Sequence, residues 1–516
     1  MATYNFASIT TDQAAAFTAS DVLEFSDISA TDVRVQPTAT GTQFISGDRV
    51  VEVPVLLGAL VGNANTSWVQ FTDGSVLAVG DLSGNADLAN IANTQTLPNA
   101  DTQYWGLGGA DTITAGTGTY VIYGNQGADS VIGAAGGDGD TVFGGQDGDS
   151  LNYAASTEAN LLYGNLGNDT LTGGAGNDTV YGGQGDDSIV GGAGTNELWG
   201  NLGADTITGA GDSVIYGNQG DDVLISSGDD TLYGGQDNDT ATLTGTGAVV
   251  YGNLGADTLD GSGAAGANVM FGGQGDDVLI GGAGGDSLYG NLGADTITGG
   301  AGANLLDGGE GDDAFVFTTG TGGTDTVLGG DGFDVLVLDN ATAGAAGTFT
   351  FGNTVISVEG ARILTGEAGA GGEVTADFSA IENALAITIE GDDGAVVTGT
   401  AGADTITAGA GADTIIGAAN QGVDMVFDFN VNGDFIDTGA VPASVLEADS
   451  ANVATGALAS GDVVALQTGA DTELWLATGA ISAGGTVSQA AASGDLVKIM
   501  VLVGVTNNDI TTADFV

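Results

Sequence analysis

The sequence predicts an all-β fold: a right-handed parallel β-roll wound from short repeats, with a small β domain before it and a β-rich region carrying a second short roll after it. Three observations predict it. Aromatic residues stand at Trp105, Tyr123, Phe143, Tyr163, Tyr181, Trp199, Tyr216, Tyr233, Tyr251, Phe271 and Tyr289, at intervals of 17, 18 or 20 residues. Six residues behind each comes an aspartate, and Asp307 takes the aromatic place before Asp313. Each interval divides into two glycine-rich nonapeptides, clearest in GGAGNDTVY (173–181), GGQGDDSIV (182–190) and GNLGADTIT (200–208). A fixed period of this size marks a solenoid whose every winding repeats one structural unit.

Within a nonapeptide, glycines at the first, second and fourth places allow left-handed backbone, so that successive carbonyl oxygens can turn toward a common point. The sixth place adds a carboxylate. The last three residues read as a short strand with alternating faces. Its apolar eighth position (Val180, Ile189, Ile207, Leu224, Leu259, Leu279, Leu288, Ile297) is predicted to point inward between two parallel sheets. The ninth then points outward, carrying the aromatic column on one sheet and Thr172, Val190, Thr208, Ile225, Asp260, Ile280 and Thr298 on the other.

Such a loop can serve a hard divalent cation taking six to eight oxygens, a number reached when two stacked loops share one ion. On the aromatic side the candidate carboxylates are Asp111, Asp129, Asp149, Asp169, Asp187, Asp205, Asp222, Asp239, Asp257, Asp277, Asp295 and Asp313. Their loops supply Gly124, Asn125, Gly127, Gly144, Gly145, Gly164, Asn165, Gly167, Gly182, Gly183, Gly185, Gly200, Asn201 and Gly203. Further along they supply Gly217, Gly220, Gly234, Gly235, Gly252, Gly255, Gly272, Gly275, Gly290, Gly293, Gly308 and Gly311. The opposite column is patchy. Asp140, Asp178 (with Gly173, Gly174 and Gly176) and Asp286 sit in fair loops, Asn196, Asn268 and Asn304 replace the carboxylate, and 117–119 and 243–248 lack it. One continuous and one broken file of ions are expected. Neighbouring aspartates about 4.8 Å apart repel by roughly 1 kcal/mol per pair in water and more near a protein surface, so a row without ions would oppose folding.

Composition narrows the function. The formal charge is −63, from 67 acidic residues against Arg34, Arg49, Arg362 and Lys498, which repels nucleic acid and anionic membranes. Cysteine and histidine are absent, removing disulfides, thiolate nucleophiles and histidine-dependent catalysis. The one acidic cluster outside the repeat (Glu359, Glu367, Glu373, Glu382, Glu390) could serve carboxylate chemistry on glycans; no enzyme is expected. No apolar run reaches the ~20 residues of a membrane-spanning helix, and the amino terminus lacks a basic region followed by an apolar core.

The string GGAGNDTVYGGQGDDSIVGGAG resembles the repeats-in-toxin (RTX) family of calcium-binding β-rolls over about 105–317, with a second short array, GTAGADTITAGAGADTIIG, at 399–417 carrying Asp404 and Asp413. The resemblance implies several bound Ca2+ ions, export through a type I secretion channel by an uncleaved carboxyl-terminal signal, and folding outside the cell. Residues 496–505 (LVKIMVLVGV) with Asp514, Phe515 and Val516 are similar to such signals. The zinc helix of the family's metalloproteases and the apolar helices of its pore-forming toxins are missing.

Five regions are expected: a mainly β capping, anchoring or assembly domain at 1–100, a calcium roll of about twelve windings at 101–317, a β-rich cap at 318–395, a second short roll and closing element at 396–440, and a carboxyl-terminal β region at 441–516. In the first, 68–79 reads as a hairpin around Asp73 and Gly74, 49–57 as a strand and 12–19 as a short helix. Imperfect rhythm after Asp313 places further candidate ions at Asp325, Asp331 or Asp334. Since nearly the whole chain is scaffold, the expected product is a secreted structural protein that self-assembles on the cell surface as a surface-layer lattice or extracellular filament. The alternative is a calcium-dependent adhesin or matrix protein holding polysaccharide, lipopolysaccharide or ice.

Overall fold

The computed structural model describes residues 101–318 and 325–340 without interruption, most of 347–437, and separate short segments between 3 and 99 and between 445 and 502. The chain divides into two compact units, Met1–Leu254 and Gly255–Val516.

In the first unit one sheet carries the aromatic strands. Thr102–Gly108, Tyr120–Gln126, Thr141–Gln146, Leu161–Leu166, Thr179–Gln184, Glu197–Leu202, Val214–Gln219, Thr231–Gln236 and Val249–Leu254 pair in parallel, each with the next. Register is strict, setting Tyr123 on Phe143, Phe143 on Tyr163 and Tyr181 on Trp199. The facing sheet is built the same way from Thr112–Thr114 through Ser188–Gly192 to Thr240–Leu243.

Burial along the strands alternates with period two. Val180, Ile189, Leu198, Ile207 and Leu224 have no exposed surface and fill the space between the sheets. Each contributes on the order of 1.5–3 kcal/mol by leaving water. The second unit repeats the plan, with Leu279, Leu288 and Ile297 fully buried between a sheet containing Val269–Gln274, Ser287–Leu292 and Leu305–Glu310 and one containing Val278–Gly282 and Thr296–Gly300.

Parallel pairing in this unit crosses the expected boundaries at 318 and 396. Ala314–Thr318 pairs with Val335–Asp339, which leads through Gly360–Leu364, Ala386–Glu390 and Thr405–Thr407 to Asp424–Phe427. Opposite them lie Gly347–Thr350, Val374–Asp377, Ala395–Thr398, Thr414–Ile416 and Phe435–Asp437, again in parallel. The winding therefore persists where the nonapeptide is lost, because alternating apolar residues such as Ile363, Ala376, Ile387 and Val397 keep the core filled. Leu496–Leu502 is a strand, parallel to Asp424–Phe427 on one side and antiparallel to Asp471–Ala477 on the other.

Among the described residues, the two strands of the expected hairpin at 68–79 lie in different sheets. Val69–Phe71 lies parallel to Val22–Phe25, and Val76–Val79 lies parallel to Thr102–Gly108; the intervening 72–75, with Asp73 and Gly74, fall outside the described residues. A two-stranded hairpin is marginal alone, whereas each strand here completes an existing sheet edge. Thr11–Ala15 is the short helix, and Arg49–Val53 is a strand antiparallel to Thr42–Ser46.

Truncating the buried core is expected to be far costlier than truncating the outer columns. Leu198→Ala should lower stability in calcium by about 2–5 kcal/mol, while Val190→Ala, at a position 39% exposed, should stay within about 0.5 kcal/mol. Paired denaturant titrations check this; equal losses would refute the assignment of faces.

Candidate metal centres

On the aromatic side each of the sixth-place aspartates Asp129, Asp149, Asp169, Asp187, Asp205, Asp222, Asp277, Asp295, Asp313 and Asp334 does the same two things. Its Oδ1 accepts the backbone amide of the aspartate one winding earlier: Asp111 N donates to Asp129 at 2.7 Å, Asp169 N to Asp187 at 2.7 Å, Asp187 N to Asp205 at 2.7 Å and Asp205 N to Asp222 at 2.8 Å. The second unit continues the scheme from Asp257 through Asp277, Asp295 and Asp313 to Asp334. Asp334 N in turn donates to Glu359 Oε2 at 3.0 Å. The second oxygen is different. Oδ2 of Asp129, Asp149, Asp169, Asp187, Asp205, Asp222, Asp277, Asp295, Asp313 and Asp334 is buried without a hydrogen-bond partner.

Backbone geometry brings further oxygen to these atoms. At the second place the chain turns left-handed, with φ of 82° at Asn125, 79° at Asn165, 83° at Asn201 and 126° at Gly183, which only glycine or asparagine accepts readily. Fourth-place Gly185 and Gly203 turn likewise. First-place glycines do not, correcting the expectation that all three places need left-handed backbone. They are glycine for want of space. A Cβ on Gly200 would strike Asp205 Oδ2 and lie 2.9 Å from the Gly217 carbonyl oxygen, and one on Gly182 would meet Asp187 Oδ2 and the Gly200 carbonyl in the same way.

The result is a row of close approaches in which an aspartate Oδ2 and the carbonyl oxygen of the next winding lie beside the same first-place glycine. Burial, reinforced by neighbouring aspartates, pushes Asp149 up to about 8 and Asp129, Asp187, Asp205, Asp277 and Asp313 up to about 7, since an ionised carboxylate is costly without water or a counter-charge. Among the described residues no three acidic side chains gather at one point, so a cation here would depend on backbone carbonyls as much as carboxylates. An unpartnered anionic oxygen beside a carbonyl fits a hard, oxygen-loving divalent ion, with Asp187 Oδ2 and the Gly200 carbonyl typical of the groups that would hold it. The ion would supply the charge that lets the row stay ionised.

The opposite column is continuous as a hydrogen-bond ladder although mixed in chemistry. In the first unit it runs Asp140, Asn160, Asp178, Asn196, Ser213, Asp230, each accepting the amide of the residue before. Asn160, Ser213 and Asp230 were not visible as members, because loop length varies on this side and hides the register. Asp178 and, in the second unit, Asp286 keep a buried unpartnered Oδ2 beside Gly173 and Gly281. Asp230 instead receives the Ser226 hydroxyl at 2.7 Å, and Asp140 lies against Tyr153, whose hydroxyl is held well above its ordinary pKa by burial, with the charge of Asp140 adding to it. At Asp230 the Ser226 hydroxyl meets a carboxylate oxygen that elsewhere is left without a protein partner.

Asp404 and Asp413 likewise depart from the pattern predicted for them. Thr400 donates its amide and hydroxyl to Asp404, with Leu385 N adding a third bond, and Asp413 accepts from Ala395 N and Gly409 N, so neither carboxylate leaves an oxygen over. Asp325 caps Asn304 N at 2.8 Å, whereas Asp331 is exposed and outside the ladder. Of the acidic cluster, Glu359 closes the aspartate ladder, Glu390 pairs with Arg362 at 2.8 Å, Glu373 and Glu382 face solvent, and Glu367 is outside the described residues.

A parallel roll whose windings close on buried aspartates beside backbone carbonyls is the architecture of ion-holding nonapeptide repeats. The profile of the RTX calcium-binding nonapeptide repeat matches 105–139, 155–189, 181–213, 199–227, 208–241, 262–297, 289–316, 319–340 and 389–423. The chain carries RTX calcium-binding nonapeptide repeats, wound as a parallel β-roll. No curated protein is similar enough to count as a relative.

Two outcomes test the site. Gly200→Ala should lower the number of calcium ions bound and the melting temperature in calcium, while Ala204→Ser on the exposed side of the same loop should change neither; equal ion counts would refute the site. In chelator, the folded-state pKa values of about 6 for Asp222 and about 8 for Asp149 lie above the model-peptide value of 3.8, so the folded state holds more protons across this window. Stability of the ion-free roll should therefore rise as pH falls from about 8 towards 4, the protons standing in for cations. Circular dichroism of the chelated protein gaining β signal between pH 8 and pH 5 is the expected result; a loss would contradict it.

Proposed function

We propose that this protein is a non-enzymatic scaffold, exported unfolded by a type I channel, folded by extracellular calcium, and assembled on the cell surface as a lattice or filament. The observation that carries the reading is the file of buried carboxylate oxygens left without partners in both units. Sites of roughly 10⁻⁴–10⁻³ M affinity stay empty in cytosol and fill outside, which couples folding to export. Among the described residues no helix is long and apolar enough to cross a membrane. Support for assembly comes from the proportion of the chain given to roll, from the charge of −63 that calcium can bridge between copies, and from parallel sheets whose ends can add strands.

A calcium-dependent adhesin is the second reading. It is favoured by one feature, an uncharged face beside the aromatic rings of the first unit.

Electron microscopy and sedimentation of the purified chain, before and after millimolar calcium, separate the two. Ordered sheets or fibres are expected with calcium and none in chelator. A folded protein that stays monomeric at all concentrations would overturn the scaffold reading.

A further inference from the structure

We propose that the face beside the stacked rings of the first unit is a binding groove for a linear, neutral, β-linked polysaccharide. A groove of about 1270 Å³ runs along this face from Trp105 to Gln219. At ~4.8 Å per winding it is about 30 Å long and straight. It is lined by the aromatic position and the two or three residues that follow, and none of its lining residues is charged, in a chain with 67 acidic residues.

The lining has two chemistries. One side is a ladder of rings, with centroids 5.0 Å apart for Tyr123 and Phe143, 4.8 Å for Phe143 and Tyr163 and 4.9 Å for Tyr163 and Tyr181, their planes within 6° of parallel. Stacked on one another, the rings present edges rather than faces to a ligand. Beside them runs the in-register column Gln126, Gln146, Leu166, Gln184, Leu202, Gln219, in which amide and leucine alternate from Gln146 onward. Leu166 is 42% and Leu202 40% exposed, although nothing about the roll's core requires leucine there.

This combination selects its occupant. Anionic polymers are repelled by the chain's charge and find no basic residue in the groove. An extended peptide cannot add as a strand, because Thr141–Gln146 and its neighbours are already paired on both sides. Recognition must come from side chains that both donate and accept hydrogen bonds, interleaved with small apolar contacts. Sugar hydroxyls and C–H faces are the complement. In an extended β-linked chain successive sugars flip, so this pattern recurs once per disaccharide. From Gln146 to Gln219 the column repeats every second winding, at about 10 Å, close to the length of that unit.

Affinity electrophoresis of the full calcium-loaded chain tests the proposal, with hydroxyethyl cellulose and glucomannan as neutral β-linked probes, dextran as a neutral α-linked probe and alginate as an anionic one. The first two should retard the protein and the others should not. Leu166→Asp with Leu202→Asp, at exposed positions and checked for an unchanged dichroism spectrum in calcium, should weaken binding at least tenfold, whereas Val190→Asp on the facing sheet should not. Retardation by neither β-glycan, stronger retardation by alginate, or a double variant that binds as well as the parent would overturn the groove. So would sedimentation showing dimers of the parent that the double variant lacks, which would assign the face to a second copy. Because this test reads a folded chain in calcium, its failure leaves the scaffold reading standing, and a failure to form lattices leaves the groove standing.

Discussion

The division of labour within one carboxylate underlies the whole roll. Oδ1 of each aspartate ties its winding to the one before through a backbone amide, and Oδ2 is turned into a dry recess with no protein donor. Neither half is independent. The hydrogen bond fixes the carboxylate, the fixed carboxylate is desolvated, and desolvation makes the charged form costly unless a cation or proton is present. Stability of the stack is thereby coupled to the medium at every winding, and a defect at one site is passed to its neighbours, as nearest-neighbour contacts dominate a solenoid.

Seen this way, the two sides of the roll are two solutions to one problem. The aromatic side leaves the oxygen for an ion. On the opposite side the chain repeatedly answers the need itself, with the Ser226 hydroxyl on Asp230 and neutral Asn160, Asn196 and Asn304 in place of aspartate. These windings carry less unneutralised charge than those of the aromatic side. Ion dependence is concentrated on one edge, where loop length is constant and the oxygen geometry can repeat.

The aromatic ladder belongs to the same logic of repetition. Strict register puts ring on ring, and the stacked rings reinforce the sheet through cross-strand contact. Register also aligns the Gln and Leu positions beyond the glycine pair, and so produces a long uniform face that no single repeat could present. In a protein dominated by negative charge, a neutral face of this length is the feature least explained by folding alone.

Everything with a period shorter than one winding could be read from the chain: the alternating apolar residues, the aspartate six places behind each aromatic, and the Asn or Gly that permits left-handed backbone at 125, 165, 183 and 201. What could not be read is which atom meets which across windings, since those partners lie 17 to 25 residues apart and are chosen by register. Hence Glu359 as the end of the ladder, Asn160, Ser213 and Asp230 as members of the second column, and the satisfied carboxylates of Asp404 and Asp413 emerged only from the coordinates. The parting of the expected hairpin strands at 68–79 has the same origin, for a short strand takes whichever sheet edge the fold offers. Local steric and hydrophobic preferences determine that this chain coils; the close approach of one winding to the next decides where a lone oxygen is left for a metal and where the protein fills the need itself.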